Sequence, residues 1–570
     1  MYHPHMTRSM LYLAVPGLAA LSACAGLPQP EGRMTDRVSE LHAGWQHDAV
    51  FYLAFVRSFA DSTTGPLAGD GIGDFRGMIE RLDYLNDGDP ATTTDLGVTA
   101  LWLLPIAESP SYHGYDATDY TATEPDYGTM DDFRELLDAC HARGIRVVFD
   151  LVLNHCSSDH PWFLESTHPD SAQRDWFVWR DQQPDQPGPW GQPVWHTLDD
   201  RDIRPPEPLP PEAQDDSYYG VFWSGMPDLN YDTPEVTEAM HEAARFWLED
   251  VGVDGFRLDA IKYLIERDDQ LENTQATIDW FKGFSAHVQS VKPGAWMVGE
   301  VWDSPEQIER YIGGDSPALD SCFDFPFAYA VMEGLRDTDT PRLRRDLERS
   351  FRLNGHRGST FLSNHDMDRS MPFMGDSVPR AKAAAALLLT NPGTPFLYYG
   401  EELGMIGTGP HPRIRTPMQW TTDRDTVGFT TGTPWEAPQP NARTASVETQ
   451  TDDPDSLLSW YRTLIRLRAQ HPALRRGDFT LVTPENHPSN IVAYTRTIEN
   501  GQRLLVIVNA GPRGVTDFRV DAAALGLDPE REHTDLITGQ PVSRVLPNHP
   551  DKWRPVPTIR PYATHVIELD

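Results

Sequence analysis

The sequence predicts an α/β protein: a closed (β/α)8 barrel, an inserted subdomain after the third strand, and a C-terminal antiparallel β-sandwich domain. Three observations predict it. Eight apolar, β-rich runs alternate with amphipathic helical patterns; one Pro- and Trp-rich interval breaks the alternation; and past about Arg475 the text changes to short alternating runs.

Taken in order, residues 1–23 read as an export signal. Leu11 to Ala23 is apolar, follows His5 and Arg8, and is too short to span a bilayer with comfort. It ends in Leu21-Ser22-Ala23-Cys24, which resembles the bacterial lipoprotein box, in which Cys24 would carry the lipid; an ordinary signal peptide is the alternative. The expectation is an exported protein, periplasmic or on the cell surface, touching membrane only through a lipid anchor at Cys24. Residues 24–46 form a polar linker.

The barrel is expected over 47–155 and 223–474, with strands near Val50–Phe59, Val98–Leu104, Arg146–Leu153, Gly255–Leu258, Ala295–Val301, Ser321–Phe327, Ser359–Ser363 and Pro395–Tyr399. Helical patterns such as Met130–Arg143, Thr233–Glu249, Ile278–Val291 and Arg380–Thr390 place apolar residues three to four apart between them. Residues 156–222 (QQPDQPGPWGQPVW, then RPPEPLPPEAQDD) are too long for a structureless loop in a compact domain and read as an inserted subdomain. Over 475–570, FTLVT, NIVAYTRT, RLLVIVNAG and ATHVIEL alternate as antiparallel strands do.

Composition narrows the partners. The net charge is −37, and Lys262, Lys282, Lys292, Lys382 and Lys552 are the only lysines, so a nucleic-acid partner is excluded on charge and a neutral substrate stays open. Cys140, Cys156 and Cys322 are an odd set without a zinc pattern and are expected as buried free thiols. No organic cofactor is expected, and a monomer is.

In GFRLDAIKYL, strand alternation puts Arg257 and Asp259 on one face near a strand's C-terminal end, which in such barrels opens into the mouth. An arginine there holds the aspartate ionised. Other strands end in DLVLNHCS (Asp150, Asn154, His155), WMVGEVW (Glu300) and FLSNHDMD (Asn364, His365, Asp366). Asp259, Glu300 and Asp366 would converge at one rim, where repulsion and desolvation raise one pKa, that of Glu300, into the range of a general acid. Two carboxyls of unequal proton affinity are what glycoside hydrolysis needs.

Those four segments, in that order, resemble the signature regions of the α-amylase family of glycoside hydrolases (family 13). MPDLN at Met226 to Asn230 resembles a fifth region, in the form of a group intermediate between oligo-1,6-glucosidases and neopullulanases. The resemblance implies Asp259 as nucleophile, Glu300 as acid/base and Asp366 as the group orienting the sugar hydroxyls. It also implies Arg257, His155 and His365 as hydrogen-bonding neighbours, Tyr115 of HGYD as the stacking ring, and Arg415 of RTPMQW at the same subsite.

The finer reading also rests on that resemblance. Exo-acting relatives carry an aspartate three residues before the stacking tyrosine, where this chain has Tyr112; Lys262 matches a lysine that touches sugars beyond the cut, and Ala260 goes with α-1,4 preference. One or two of Trp176, Trp179, Trp190, Trp195 and Trp223 are expected to touch the glucan. The expectation is an α-amylase cutting internal α-1,4 bonds of starch or maltodextrin. The alternatives are an exo-acting α-glucosidase or transglycosylase, or a catalytically silent glucan-binding or transport-accessory protein. For Ca2+, Asp61, Asp70 and Asp74 with the Ile72 carbonyl resemble a Gly-rich calcium loop, and Asn154 matches a second calcium position.

Overall fold

The computed structural model describes residues 44–570 except 202, 207, 211, 212, 268 and 485–488, so the expected export signal and the expected anchor at Cys24 lie outside the described residues. Eight parallel strands close a barrel: β1 (Phe51–Ala54), β2 (Ala100–Leu103), β3 (Arg146–Leu151), β4 (Gly255–Leu258), β5 (Trp296–Gly299), β6 (Ser321–Phe323), β7 (Gly358–Thr360) and β8 (Thr394–Tyr398). Closure is direct, with Phe51 of β1 opposite Phe396 of β8. Every residue of β1, β2, β4, β5 and β8 is buried, which is why all but β4, which carries Arg257, read as largely apolar runs and not as alternation.

Two expected strands stop early, for local reasons. The run Val50–Phe59 leaves the sheet at Ala54, and Val56–Phe59 turns into a short helix. The run Ser321–Phe327 ends at Phe323 because Asp324 caps a helix, accepting from the Phe327 N–H at 3.0 Å, and Pro326 sits in its first turn.

Aromatic rings fill the barrel. Phe51 stacks on Phe396 with centroids 4.3 Å apart, Trp296 lies 5.0 Å from Phe51, and Trp102 and Phe396 each lie 5.0 Å from Phe323. This packed floor excludes water beneath the polar groups at the C-terminal rim.

The interval after β3 folds as expected of an inserted subdomain: a short helix, Pro161–Ser166, and a three-stranded antiparallel sheet with Ser217–Tyr219 between Trp179–Arg180 and Trp195–Thr197. At the C-terminus a six-stranded antiparallel sheet runs β9 (Asp478–Leu481), β10 (Ile491–Thr497), β11 (Arg503–Asn509), β14 (Thr564–Glu568), β12 (Thr534–Asp535), β13 (Gln540–Pro541). Alternation divides its side chains. Val492, Tyr494, Leu504, Val506 and Val566 join the main core, while Ile491, Ala493, Leu505, Ile507 and Ile567 pack under Phe518, Val520, Trp553 and Ile559. Cys140, Cys156 and Cys322 are free and buried.

Candidate active site

Neighbouring strands bring the acidic groups together. Register places Asp150 of β3 beside Arg257 of β4, and Arg257 beside Val298 of β5; Asp259 follows β4 and Glu300 follows β5. The Arg257 side chain is fully buried. Its Nη1 lies 2.6 Å from Asp259 Oδ1, its Nη2 lies 2.8 Å from Glu300 Oε2, and it is also paired with Asp150. One planar guanidinium therefore holds three carboxyls in fixed relative positions. Trp102 Nε1 donates to Asp150 at 2.9 Å, and the Tyr115 hydroxyl reaches the same oxygen at 3.2 Å.

Asp366, in the loop after β7, has its own cation. Arg415 Nη2 is 2.8 Å from Asp366 Oδ1, Arg415 Nε donates to the His365 carbonyl at 2.9 Å, and His365 Nε2 is 3.0 Å from Asp366 Oδ2. The His365 ring lies parallel to Tyr115, tilted 9° with centroids 5.6 Å apart.

Burial and charge then separate these acids. For Glu300, burial outweighs the Arg257 charge, and with Asp259 and Asp366 adding repulsion its pKa rises to about 8. Burial also raises Asp259, opposed by Arg257, and carries Asp150 to about 7. Burial would raise Asp366 too, but His365 and Arg415 hold it well below the usual carboxylate range. Since burial lowers His365 itself to about 4, it is neutral near pH 7, so the lasting counter-charge on Asp366 is Arg415. His155 is likewise held neutral, lowered to about 4 by burial.

A cavity of about 500 Å3 opens over these groups. Asp259, Glu300, Asp366, Tyr115, His155, Lys262 and Arg415 line it; Arg257 and His365 lie beneath, buried, and act through the carboxyls and Tyr115. Lys262 is committed to protein partners, Glu272 at 2.9 Å and the Trp302 carbonyl at 3.1 Å. Ala260 has φ of +50°, left-handed backbone that penalises branched side chains, and its N–H donates to Glu300 Oε2 at 3.2 Å.

Of the five tryptophans singled out in the sequence, Trp190 (58% exposed) and Trp223 (39%) line this cavity. The other three serve the insert's packing: Trp176 against Trp162, Trp179 stacked on Phe163, Trp195 against Tyr219. Sequence reasoning missed Trp302, 40% exposed, stacked 4.6 Å from Phe325 and lining the same cavity; its place two residues after Glu300 was the available signal. It also missed His113, although that residue opens the HGYD motif of Tyr115, and Phe222 and His411, which lie in segments without strand-end motifs. Tyr112 stacks on Trp435, 5.4 Å between centroids, with the Arg415 guanidinium 5.9 Å from its ring.

The loop expected to hold a metal is shaped by hydrogen bonds from its own backbone. Both Asp61 oxygens accept backbone N–H groups, from Gly69 and Gly71 at 2.9 Å each. Asp70 Oδ1 accepts from the Ile72 N–H at 2.8 Å, and Asp74 caps a helix through Gly77 and takes the Ser62 N–H. These contacts fix the turn that carries Asp61, Asp70 and Asp74, with the Ile72 N–H on Asp70, and among the described residues no three His, Cys, Asp or Glu groups converge on a metal position. Asn154 stands differently. Its Oδ1, Asp228 Oδ2 and Glu266 Oε1 are buried without hydrogen-bond partners among the described residues, and burial raises both acids, Glu266 to about 7. Hard, under-satisfied oxygens at the barrel–insert junction suit Ca2+.

Chemically, an acid that retains its proton near neutral pH shares a guanidinium with a second carboxyl, next to a third that stays ionised. That spacing and inequality serve proton donation and nucleophilic attack at one acetal carbon. The α-amylase catalytic-domain family matches residues 53–477. Alpha-amylase 3 of Dictyoglomus thermophilum is 37% identical over 473 residues, covering 82% of this chain and 85% of the relative. The trehalose synthase/amylase TreS of Mycolicibacterium smegmatis is 36% identical over 506 residues, covering 80% and 81%. The crystal structure of alpha-amylase from H. orenii superposes with a TM-score of 0.77 at 38% identity, covering 92% of this chain and 99% of that one.

Proposed function

This chain belongs to the α-amylase family of glycoside hydrolases, a family 13 hydrolase or transglycosylase, and we propose that within it the protein hydrolyses internal α-1,4-glucosidic bonds of starch and maltodextrins with retention. The observation that carries the reading is the pair Asp259 and Glu300 on one buried Arg257, with the proton held on Glu300.

In the first step Glu300 gives its proton to the glycosidic oxygen as the carboxylate of Asp259 attacks the anomeric carbon. The C–O bond to the leaving chain breaks and a glucosyl ester on Asp259 forms. In the second step Glu300, now a carboxylate, takes a proton from water, whose oxygen attacks the same carbon and releases Asp259. Retaining pairs stand ~5–5.5 Å apart, a spacing to which two carboxyls hung on one guanidinium are suited. Asp366, kept ionised by Arg415, accepts hydrogen bonds from the sugar hydroxyls as positive charge develops on the ring. Tyr115 supplies an apolar face for that sugar, held by its hydroxyl against Asp150 and His365.

Internal cleavage is favoured because Trp190, Trp223 and Trp302 offer rings along an open cavity, where a chain continues past the cut. Tyr112, stacked on Trp435, supplies no carboxylate to grip a chain end. Asn154, Asp228 and Glu266 would hold Ca2+, which would brace the insert against the barrel through charge neutralisation.

The test is the product time course on maltoheptaose blocked at its non-reducing end. Early mid-size oligosaccharides support the proposal. An intact blocked substrate, with glucose alone released from the unblocked one, makes the enzyme an exo-glucosidase, and conversion of maltose to an isomeric disaccharide makes it a transglycosylase.

A further inference from the structure

Asp366 and Arg415 work as a pair, yet they stand on separate segments: the loop after β7 and the stretch of chain that follows β8. Arg369 joins the two. We propose that Arg369 is a positioning residue, setting Arg415 against Asp366 without touching substrate; the proposal rests on the retaining-hydrolase reading above.

Arg369 is 1% exposed and lies three residues after Asp366. Its backbone N–H donates to the Gly407 carbonyl at 3.0 Å. The side chain crosses between the segments, Nε donating to the Ile414 carbonyl at 3.0 Å and Nη1 to the Tyr399 carbonyl at 2.7 Å. Ile414 immediately precedes Arg415. Its carbonyl also takes the Tyr398 hydroxyl at 2.9 Å, and the carbonyl of Thr416, on the other side of Arg415, takes the Tyr399 hydroxyl at 2.8 Å. Ser58 Oγ donates to the carbonyl of Arg415 itself. The backbone that carries Arg415 is thus held on three successive carbonyls.

The Asp366 loop is closed on itself as well. Ser363 Oγ accepts the Ser370 N–H at 3.2 Å and reaches Glu401 Oε2 at 3.4 Å, with Asp366 in the turn between. At the surface Asp368 Oδ1 takes the Gly409 N–H at 2.9 Å, a second tie between the two segments.

Arg369 is an expensive way to pack a core. Its Nε and Nη1 meet carbonyls, its Nη2 is buried without a partner among the described residues, and no carboxylate bonds to it. The Tyr398 and Tyr399 rings lie 4.3 Å and 4.7 Å from the guanidinium carbon and offset part of that cost. What the guanidinium supplies is geometry: a planar fork that bonds two carbonyls at a fixed angle. Gly407 makes room for it, since a Cβ there would lie 2.7 Å from the Arg413 carbonyl and 3.3 Å from Arg369 Cδ. If Arg415 drifts from Asp366, the acceptor that steadies the charged sugar ring weakens, and the loss falls on kcat more than on KM.

The experiment is a double-mutant cycle read as kcat and KM on maltoheptaose. Arg369→Lys keeps the charge without the fork, and Tyr398→Phe removes only the hydroxyl on the Ile414 carbonyl. In the wild-type background the first should lower kcat about 10- to 100-fold and the second about three- to tenfold, with KM changed less than about threefold. In an Arg415→Ala background, where no side chain is left to position, each should cost less than about twofold. Both substitutions go through the cycle, so a poorly folding Arg369→Lys leaves the decision to Tyr398→Phe. Equal factors in the two backgrounds, or changes in KM alone, overturn the positioning role. A wild-type enzyme that leaves maltoheptaose intact refutes the hydrolase reading, and the proposal with it.

Discussion

Replacing Glu300 by Gln should abolish turnover and stabilise the fold, and the two effects have one cause. Burial raises the Glu300 pKa from 4.5 to about 8 in the folded protein. Every tenfold gain in proton affinity on folding corresponds to about 1.36 kcal/mol. A group whose folded pKa is raised contributes stability that is fully present below its unfolded pKa and lost as pH rises through the folded one. Wild-type stability should therefore fall between pH 4.5 and about 8 by as much as ~4 kcal/mol from this group alone. The Arg257 contact at 2.8 Å is already part of that raised pKa, so the variant, equal to wild type near pH 5, should be ahead by roughly 3–4 kcal/mol at pH 8. The assay is urea or thermal unfolding of both proteins at pH 5, 6, 7 and 8, beside the pH profile of kcat/KM. The variant should match the wild type near pH 5, exceed it at pH 8, and show a stability slope smaller by about one proton. The wild-type activity should fall on the alkaline side near pH 8. A variant equally sensitive to pH, or less stable than wild type at pH 8, would refute the reasoning.

Removing the shared cation should do the opposite: Arg257→Ala leaves Asp150, Asp259 and Glu300 buried without it, costing about 3–5 kcal/mol in urea unfolding near pH 7 and ~10²–10³-fold in kcat. Wild-type stability in that variant would contradict the geometry. Chelation by EDTA should lower the melting temperature of the wild type and leave Asp228→Asn unaffected, while Asp70→Asn should keep the wild-type response, because the Asn154, Asp228 and Glu266 oxygens are buried without partners whereas Asp70 Oδ1 takes the Ile72 N–H. A response lost in Asp70→Asn and kept in Asp228→Asn would return the metal to the loop after β1.

The barrel was legible because strands buried on both faces need unbroken apolar runs, and Ala100–Leu103 and Trp296–Gly299 supply them. Their ends were less so. Nothing in the apolar run Val50–Phe59 marks Ala54 as the last strand residue, since the short helix that follows is equally buried. The helix Phe325–Asp337 was hidden within a run of Phe residues, although Asp324 and Pro326 mark its start. At the site, residues on strand ends could be read from alternation, which is how Arg257, Asp259 and Glu300 were found. What alternation cannot show is which cation serves which acid. Asp366 takes Arg415, distant in sequence and fixed by the His365 carbonyl, whereas Arg257 reaches across to Asp150 and Glu300 on neighbouring strands. Nor does spacing show the local contacts of the loop after β1: Asp61, Asp70 and Asp74 have the spacing of ligands, and their oxygens also take the loop's own N–H groups.

The central claim is that Asp259 carries the sugar between the two steps. Treatment of Glu300→Gln with 5-fluoro-maltosyl fluoride, whose fluoride leaves without an acid and whose ester then turns over slowly, should trap that ester. Tryptic cleavage after Arg257 and Lys262 isolates Leu258–Lys262, with Asp259 its sole acidic side chain. Mass spectrometry should find the added disaccharide on that peptide. An unlabelled Leu258–Lys262 with the sugar on the peptide bearing Glu300 or Asp366, or no covalent adduct during turnover of the fluoride, would contradict the account.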